Sequence, residues 1–299
     1  MENNINVEKQ LNIENPLPQK QLLRKKHKKI NVFNLVSIVL ISIITFIFVF
    51  PFYWIITGSF KPQRETVLLP PTLIPAAPTL ENYTMLFKNP AWTWFANSVI
   101  ISLVSMLLVC LVSTLAGYVL AKKRFIGSAF IFTMFVAAMS LPKQVILVPL
   151  VKLVSAMGFH NTLWAVILPI VGWPFGIFLM KQFSQSVPKE LLEAAKIDGC
   201  TELGIFARIV VPMVKPGIAA LAIFTFITSW NDYFMQLIML NESKMLTLQL
   251  GVATLQGEFS TNYGVMMAAA TFSAIPIVLV FIFFQKSFTQ GITMGAVKG

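Results

Sequence analysis

The chain predicts an all-α membrane protein of six transmembrane helices, and three observations carry that prediction. Of its 299 residues, 56% are hydrophobic and only 12% charged, far from the roughly half apolar, quarter charged balance of a soluble domain. Six apolar runs, about 32–56, 96–120, 128–150, 161–181, 215–239 and 265–285, each reach the ~20 residues that cross a bilayer. The runs are continuous rather than alternating, so helices, which satisfy their own backbone polar groups, are the expected spans and a barrel is not. A mean hydropathy of +0.75 agrees.

Residues 1–31 are rich in Asn, Gln, Lys and Leu, end in RKKHKKI and show no sustained period. They read as a cytoplasmic basic tail anchored at the lipid headgroups. The first apolar run is too long for a secretory signal core and no small-residue cleavage site follows it, so the first span is expected to persist. Lys and Arg set the orientation. With the amino terminus inside, seven fall in the tail, three at Lys122, Lys123 and Arg124, five at Lys181, Lys189, Lys196, Arg208 and Lys215, and two at Lys286 and Lys298. Five fall outside (Lys61, Arg64, Lys88, Lys152, Lys244) and Lys143 lies in a run. Both termini are therefore expected in the cytoplasm. The net charge of +11 is thus an orientation signal and not a nucleic-acid footprint. Cys110 and Cys200 fall in different compartments under this topology, which argues against a disulfide.

The first outer loop, about 57–95, holds Pro62, Pro70, Pro71, Pro75, Pro78 and Pro90, so extended and turn structure is expected, with a short helix near Leu80–Phe87. The second, about 240–264, carries Asn241, Glu242, Gln256, Glu258 and Asn262 and reads either as a solvated connector or as a docking surface.

Inside the spans, Pro142, Lys143, Gln144 and Pro149 interrupt the third, and Pro169, Gly172, Pro174 and Gly176 the fourth. Such breaks either fit helices together in a bundle or line a cavity. In the fifth, Thr225, Ser229, Asp232 and Gln236 are spaced by four, three and four residues, which puts them on one helical face beside Asn231. A carboxylate facing lipid costs several kcal/mol, so this face reads either as a helix-packing polar network or as the wall of a solute pathway.

Between the fourth and fifth runs lies the polar stretch PKELLEAAKIDGCTELGIFARIVVP, within a cytoplasmic loop of about 184–214. Pro188 suits a first helical turn, Leu191, Leu192, Ala194, Ala195 and Ile197 supply an apolar side, and Gly199 suits a left-handed C-terminal stop. Thr201 is placed to cap a second helix with Leu203, Phe206, Ile209 and Val210 as its stripe, ended by Pro212 and Pro216. From these residues alone the element is either a helix lying on its own bundle or a knob that fits a partner's groove.

The spacing of Glu193, Ala194, Ala195, Gly199, Ile209 and Pro212 resembles the signature loop of ATP-binding cassette importer permeases. There Glu-Ala-Ala is followed by three residues, Gly, nine residues, Ile, one residue and Leu-Pro; Val211 replaces the Leu. Asn97 and Ser98, LAGYVLAKKRF, LPKQVILVPL, SWNDY and QGITMGAVKG are similar to the carbohydrate branch, the family of the smaller maltose-type membrane subunit. The resemblance covers most of the chain after residue 32. It implies a type I importer permease fold in the cell membrane, carrying sugar. It also implies a heterodimer with a second permease, two cytoplasmic ATPase subunits, and an extracytoplasmic solute-binding protein. It makes Glu193, Ala194, Ala195, Asp198, Gly199, Ile209 and Pro212 the ATPase-coupling residues.

No Gly-x-x-x-x-Gly-Lys-Ser/Thr loop is present, so ATP is expected to be used by partner chains, and this chain to bind no cofactor. A secondary transporter of a small polar solute is the alternative, but Asp232 is its sole intramembrane carboxylate candidate and the polar insert goes unexplained. An intramembrane enzyme is disfavoured: His27 and His160 lie outside the runs, and no metal-ligand or nucleophile-base cluster is evident.

Overall fold

A computed structural model of the chain describes residues 32–256 and 262–296, with side chains described as far as residue 285. The tail of residues 1–31, Glu258 and the last three residues lie outside them. By internal contacts the chain divides into Met1–Phe50 and Pro51–Gly299. The described part of the first is the beginning of α1 (Val32–Ser59), mostly apolar with Asn34, Ser37, Ser42 and Thr45 interspersed.

The second unit continues with α2 (Gln63–Thr66), α3 (Glu81–Lys88), α4 (Ala91–Lys122), α5 (Ser128–Met139), α6 (Lys143–Ala156), α7 (Leu163–Val171) and α8 (Pro174–Gln185). Then follow α9 (Lys189–Ile197), α10 (Glu202–Ile205), a π-helical turn (Phe206–Val210), α11 (Val211–Met213), α12 (Lys215–Trp230), α13 (Phe234–Met239), α14 (Leu248–Thr254) and α15 (Tyr263–Ala296). No strand occurs among the described residues. Three helices are long and apolar enough to cross a membrane, and up to six spans result if each bent pair counts as one.

The organising element is α4, whose 32 residues extend about 48 Å at ~1.5 Å per residue, well beyond the hydrocarbon thickness. Helices α8 and α12 pack along it, joined by α7, α14 and α3. Around its first half lies one apolar cluster, with Trp94, Ile101, Ile167, Trp230, Leu248 and Phe272 among its buried members. Around its second half lies another, with Val109, Tyr118, Met180, Leu192, Ile205 and Val210. Gly117 allows α4 and α8 to approach closely: a Cβ there would fall 2.6 Å from the Lys181 nitrogen, a distance that only movement of backbone could relieve.

Several expected spans are not single straight helices. The third turns by 108° between α5 and α6, because Leu141, preceding Pro142, is pushed out of helical geometry and Pro142 has no N–H to continue the ladder. The fourth bends by 41° between α7 and α8, where Pro174 opens a new helix after Trp173, which leaves helical geometry at φ −55°, ψ 116°. The fifth run stops at Trp230 and restarts at Phe234.

The two long loops are built in different ways. Residues 60–80 wrap around a buried polar knot. Lys61 Nζ donates to the Thr72 carbonyl, Glu65 accepts from Thr72 Oγ1 at 2.7 Å and Ala76 N at 3.0 Å, and buried Asn82 donates to the carbonyls of Ser59 and Lys61 at 2.8 and 2.7 Å. The hydroxyl of Thr72, then the Ala76 amide, hold the Glu65 carboxyl below its ordinary range. Residues 241–255 are no solvated connector: they fold back onto the start of α4. Trp94 Nε1 donates to Ser243 O at 2.8 Å, Asn97 Nδ2 to Lys244 O at 2.8 Å and Leu246 O at 2.9 Å, and Ser98 Oγ accepts from Leu248 N at 2.9 Å. Leu246, Leu248 and Leu250 are buried there.

Candidate functional site

The insert between α8 and α12 is built from local rules. Pro188 sits in extended conformation at the N-cap of α9, and the helix ends in a complete Schellman motif. In it Gly199 N donates to Lys196 O at 3.0 Å and Cys200 N to Ala195 O at 2.9 Å, while Gly199 itself has φ +77°, a region that costs other L-residues about 1–2 kcal/mol. Thr201 Oγ1 then caps α10 by accepting from Gly204 N at 3.2 Å. The π turn that follows has Val211 N donating to Phe206 O. It widens the helix where Pro212 offers no N–H to Arg208 O and its ring would crowd that carbonyl.

Burial sorts the sequence-predicted residues into two sets. Ala195 points inward with Leu192 and joins the second apolar cluster, and Ile209 is half-buried against it. Glu193, Ala194, Asp198, Gly199 and Pro212 are exposed. Ile197 at 87% and Leu203 at 74% exposure stand beside them; with exposed Leu191 they belong to the apolar sides that the sequence assigns to the two helices, and the structure turns these three outward while Leu192 and Ala195 face in. The outward surface is therefore apolar at Ala194, Ile197 and Leu203, small at Ala194 and Gly199, and carries the carboxylates of Glu193 and Asp198. Burying branched side chains such as Leu192, Ile205 and Val210 is worth roughly 1.5–3 kcal/mol each, which outweighs the exposed ion pairs and holds the insert on α4 and α8.

A further polar centre on the insert was not singled out by sequence. Glu202 pairs with Lys123 and, at 3.1 Å, with Lys196, and Tyr118 Oη lies 3.5 Å from it. The Lys123 hydrogen bond first, then that of Lys196, holds the Glu202 carboxyl below its ordinary range. Partial burial is the largest single influence on Lys123 and pulls it down, but the hydrogen bond to Glu202 and the charges of Tyr118 and Glu202 together leave the ammonium raised.

The breaks in the third, fourth and fifth runs converge on one cavity of about 460 Å³, lined by Leu141, Lys143, Pro169, Trp173, Ser229 and Asp232 among others. Lys143 Nζ lies 5.8 Å from the Trp173 ring centroid. Asp232 Oδ1 accepts from Met235 N at 3.2 Å and so caps α13, and buried Ser229 Oγ has no hydrogen-bond partner among the described residues. A second cavity of about 400 Å³ shares Lys143 and Asp232 and adds Asn231 and Tyr233.

The single polar face expected over Thr225–Gln236 does not form, because the helix breaks at Asn231–Tyr233. Thr225 is buried and donates to Leu221 O at 2.8 Å. Gln236 is buried, donates to Ser229 O at 3.1 Å and accepts from Thr247 Oγ1. These two belong to internal packing; Ser229, Asn231 and Asp232 line cavities. Lys143 stood out in the sequence as a break in the third run; Trp173, which lies against it, was marked only by Pro174 next to it.

Comparison with known proteins places this geometry. Residues 113–294 match the family described as binding-protein-dependent transport system inner membrane component. The arabinooligosaccharides transport system permease protein AraQ of Halalkalibacterium halodurans is 40% identical over 86% of this chain and 94% of its own length; its namesake in Bacillus subtilis is 33% identical over 90% and 97%. The sulfoquinovosyl glycerol transport system permease protein SmoH of Agrobacterium fabrum is 33% identical over 84% and 89%. Among solved structures, a chain of a bacterial ABC transporter that imports the acidic polysaccharide alginate superposes with a TM-score of 0.78 at 21% identity, covering 87% of this chain and 98% of that one. The fold is that of a type I importer permease.

Proposed function

Because the chain belongs to the family of binding-protein-dependent transport system inner membrane components, we propose that it is one membrane subunit of an ATP-driven sugar importer, forming half of the translocation pathway. Its partners are a second permease, two cytoplasmic ATPase subunits and an extracytoplasmic solute-binding protein. The names of relatives that carry arabinooligosaccharides and sulfoquinovosyl glycerol support a sugar as the solute. Lys and Arg distribution supports both termini, and the insert, on the cytoplasmic side.

The observation that carries this reading is the insert: a rigid helix, left-handed turn and helix, anchored inward by Leu192 and Ala195 while Glu193, Ala194, Asp198 and Gly199 stand exposed. Such a knob fits a groove, with small residues admitting close backbone approach and carboxylates fixing register at the rim. ATP-driven closure of the two ATPase subunits would move the docked inserts as levers, and the attached helices would alternate between inward- and outward-open arrangements. Ser229, Asn231 and Asp232, at the convergent helix breaks, would line the sugar's path.

The test replaces exposed Ala194 with Trp, which leaves the inward face untouched. The complex in mild detergent should retain its melting midpoint yet lose co-purifying ATPase by at least about tenfold, the effect of ~1.4 kcal/mol at a central contact. Full ATPase recovery and undiminished uptake by A194W would refute the docking role.

A further inference from the structure

The covalent neighbours of the insert are α8 and α12, yet its polar contacts run to α4. Lys122, the last residue of α4, donates from Nζ to Gln185 O at 3.0 Å and to Val187 O at 2.6 Å, carbonyls at the end of α8 that lack helical partners. Lys123, one residue on, pairs with Glu202 across the far side of α9. The end of α4 therefore grips the insert both before and after its exposed turn.

Glu202 stands at the centre of this grip. One carboxylate oxygen meets Lys123 of the α4 terminus and Tyr118 a turn earlier, and the other meets Lys196 of α9. Tyr118 is itself buried, its ring 5.7 Å from that of Phe206 and 5.5 Å from the Lys123 ammonium. The apolar contacts beneath are non-directional; hydrogen bonds between charged groups are short and geometrically specific. At 31% and 54% side-chain exposure the Lys123–Glu202 pair adds little to stability, so register, and not cohesion, is what it supplies.

We propose that Glu202, held by Lys123 and Lys196, is a positioning residue that carries the movement of the docked insert to α4, so that α4 travels with α9 as one lever. This rests on the ATPase-docking reading above and adds a route that chain connectivity does not provide. Since α4 packs against α7, α8, α12 and α14, moving it moves most of the unit.

The experiment uses the complete transporter, with both permeases, ATPase subunits and binding protein, in proteoliposomes, and reads sugar uptake per ATP hydrolysed. Glu202→Gln and Lys123→Met should each retain the ATPase subunits and lower the melting midpoint only slightly while lowering that ratio by about 3- to 10-fold, within the range for coupling residues outside a ligand site. The double variant should be no worse than either single, because both remove the same link. An unchanged ratio overturns the proposal, and so does a double variant whose loss is the product of the two singles. Loss of the ATPase from E202Q would instead make Glu202 part of the docking contact and defeat the proposal while sparing the docking reading. Failure of the unaltered chain to hold an ATPase would overturn both.

Discussion

Glu202 turns the charge geometry of the insert into a measurable pH dependence. Its folded-state pKa is lowered below the ordinary 4.5 by Lys123 and Lys196, so its stabilisation is fully present above pH 4.5 and drains away as pH falls through the lower folded value. The carboxylate is more than half exposed, which limits the contribution to under about 1 kcal/mol. Melting midpoints in detergent should therefore favour wild type slightly over E202Q near pH 7, with the gap closing below pH 4.5. A gap that persists after the pH has fallen below the lowered folded value, where the carboxyl is protonated both folded and unfolded, would show that Glu202 acts through something other than its charge. Gly199 is the other single residue with a large local consequence. No heavy atom lies within 4 Å of a Cβ placed there, so the constraint is the backbone angle alone and not crowding.

At the scale of elements, the segment 241–255 shows what a few polar side chains can organise. Asn97 spends both amide hydrogens on the carbonyls of Lys244 and Leu246, and removing it leaves two acceptors in a buried setting without donors. Asn97→Ala is expected to cost about 1–3 kcal/mol, to lower the melting midpoint and to open 241–255 to limited proteolysis. Unaltered protease resistance would mean that apolar burial of Leu246, Leu248 and Leu250 suffices by itself. The insert follows the opposite logic, since its turn and caps need partners no more than five residues away. That is why Pro188, Gly199 and Thr201 were legible in sequence as start, stop and restart. The π turn was not, because its cause is the conflict between Pro212 and a helix that packing compels to continue.

For the whole molecule, the central question is which side of the membrane bears the insert. Cys200 is exposed beside the Gly199 turn, and Cys110 is half-buried within α4. In a Cys110→Ala background, a membrane-impermeant maleimide should label Cys200 only when the cytoplasmic face is opened. Labelling in sealed right-side-out cells would invert the orientation and remove the insert from any cytoplasmic ATPase.

The all-helical membrane class, the apolar runs and the form of the polar insert followed from sequence alone, because each depends on composition, on a period within one helix, or on bonds between near neighbours. Tertiary structure decided the rest. It turned α6 away from α5 by 108° and brought three helix breaks to one cavity. It left Ser229 and Asp232 on that cavity while closing Thr225 and Gln236 into the packing. It also set Glu202 against Lys123, 79 residues away, and Trp94 against Ser243, 149 away. Periodicity places a side chain on a face of its own helix; which face meets a cavity, a carbonyl or another charge depends on atoms distant in sequence, and only the packed chain brings them within hydrogen-bonding reach.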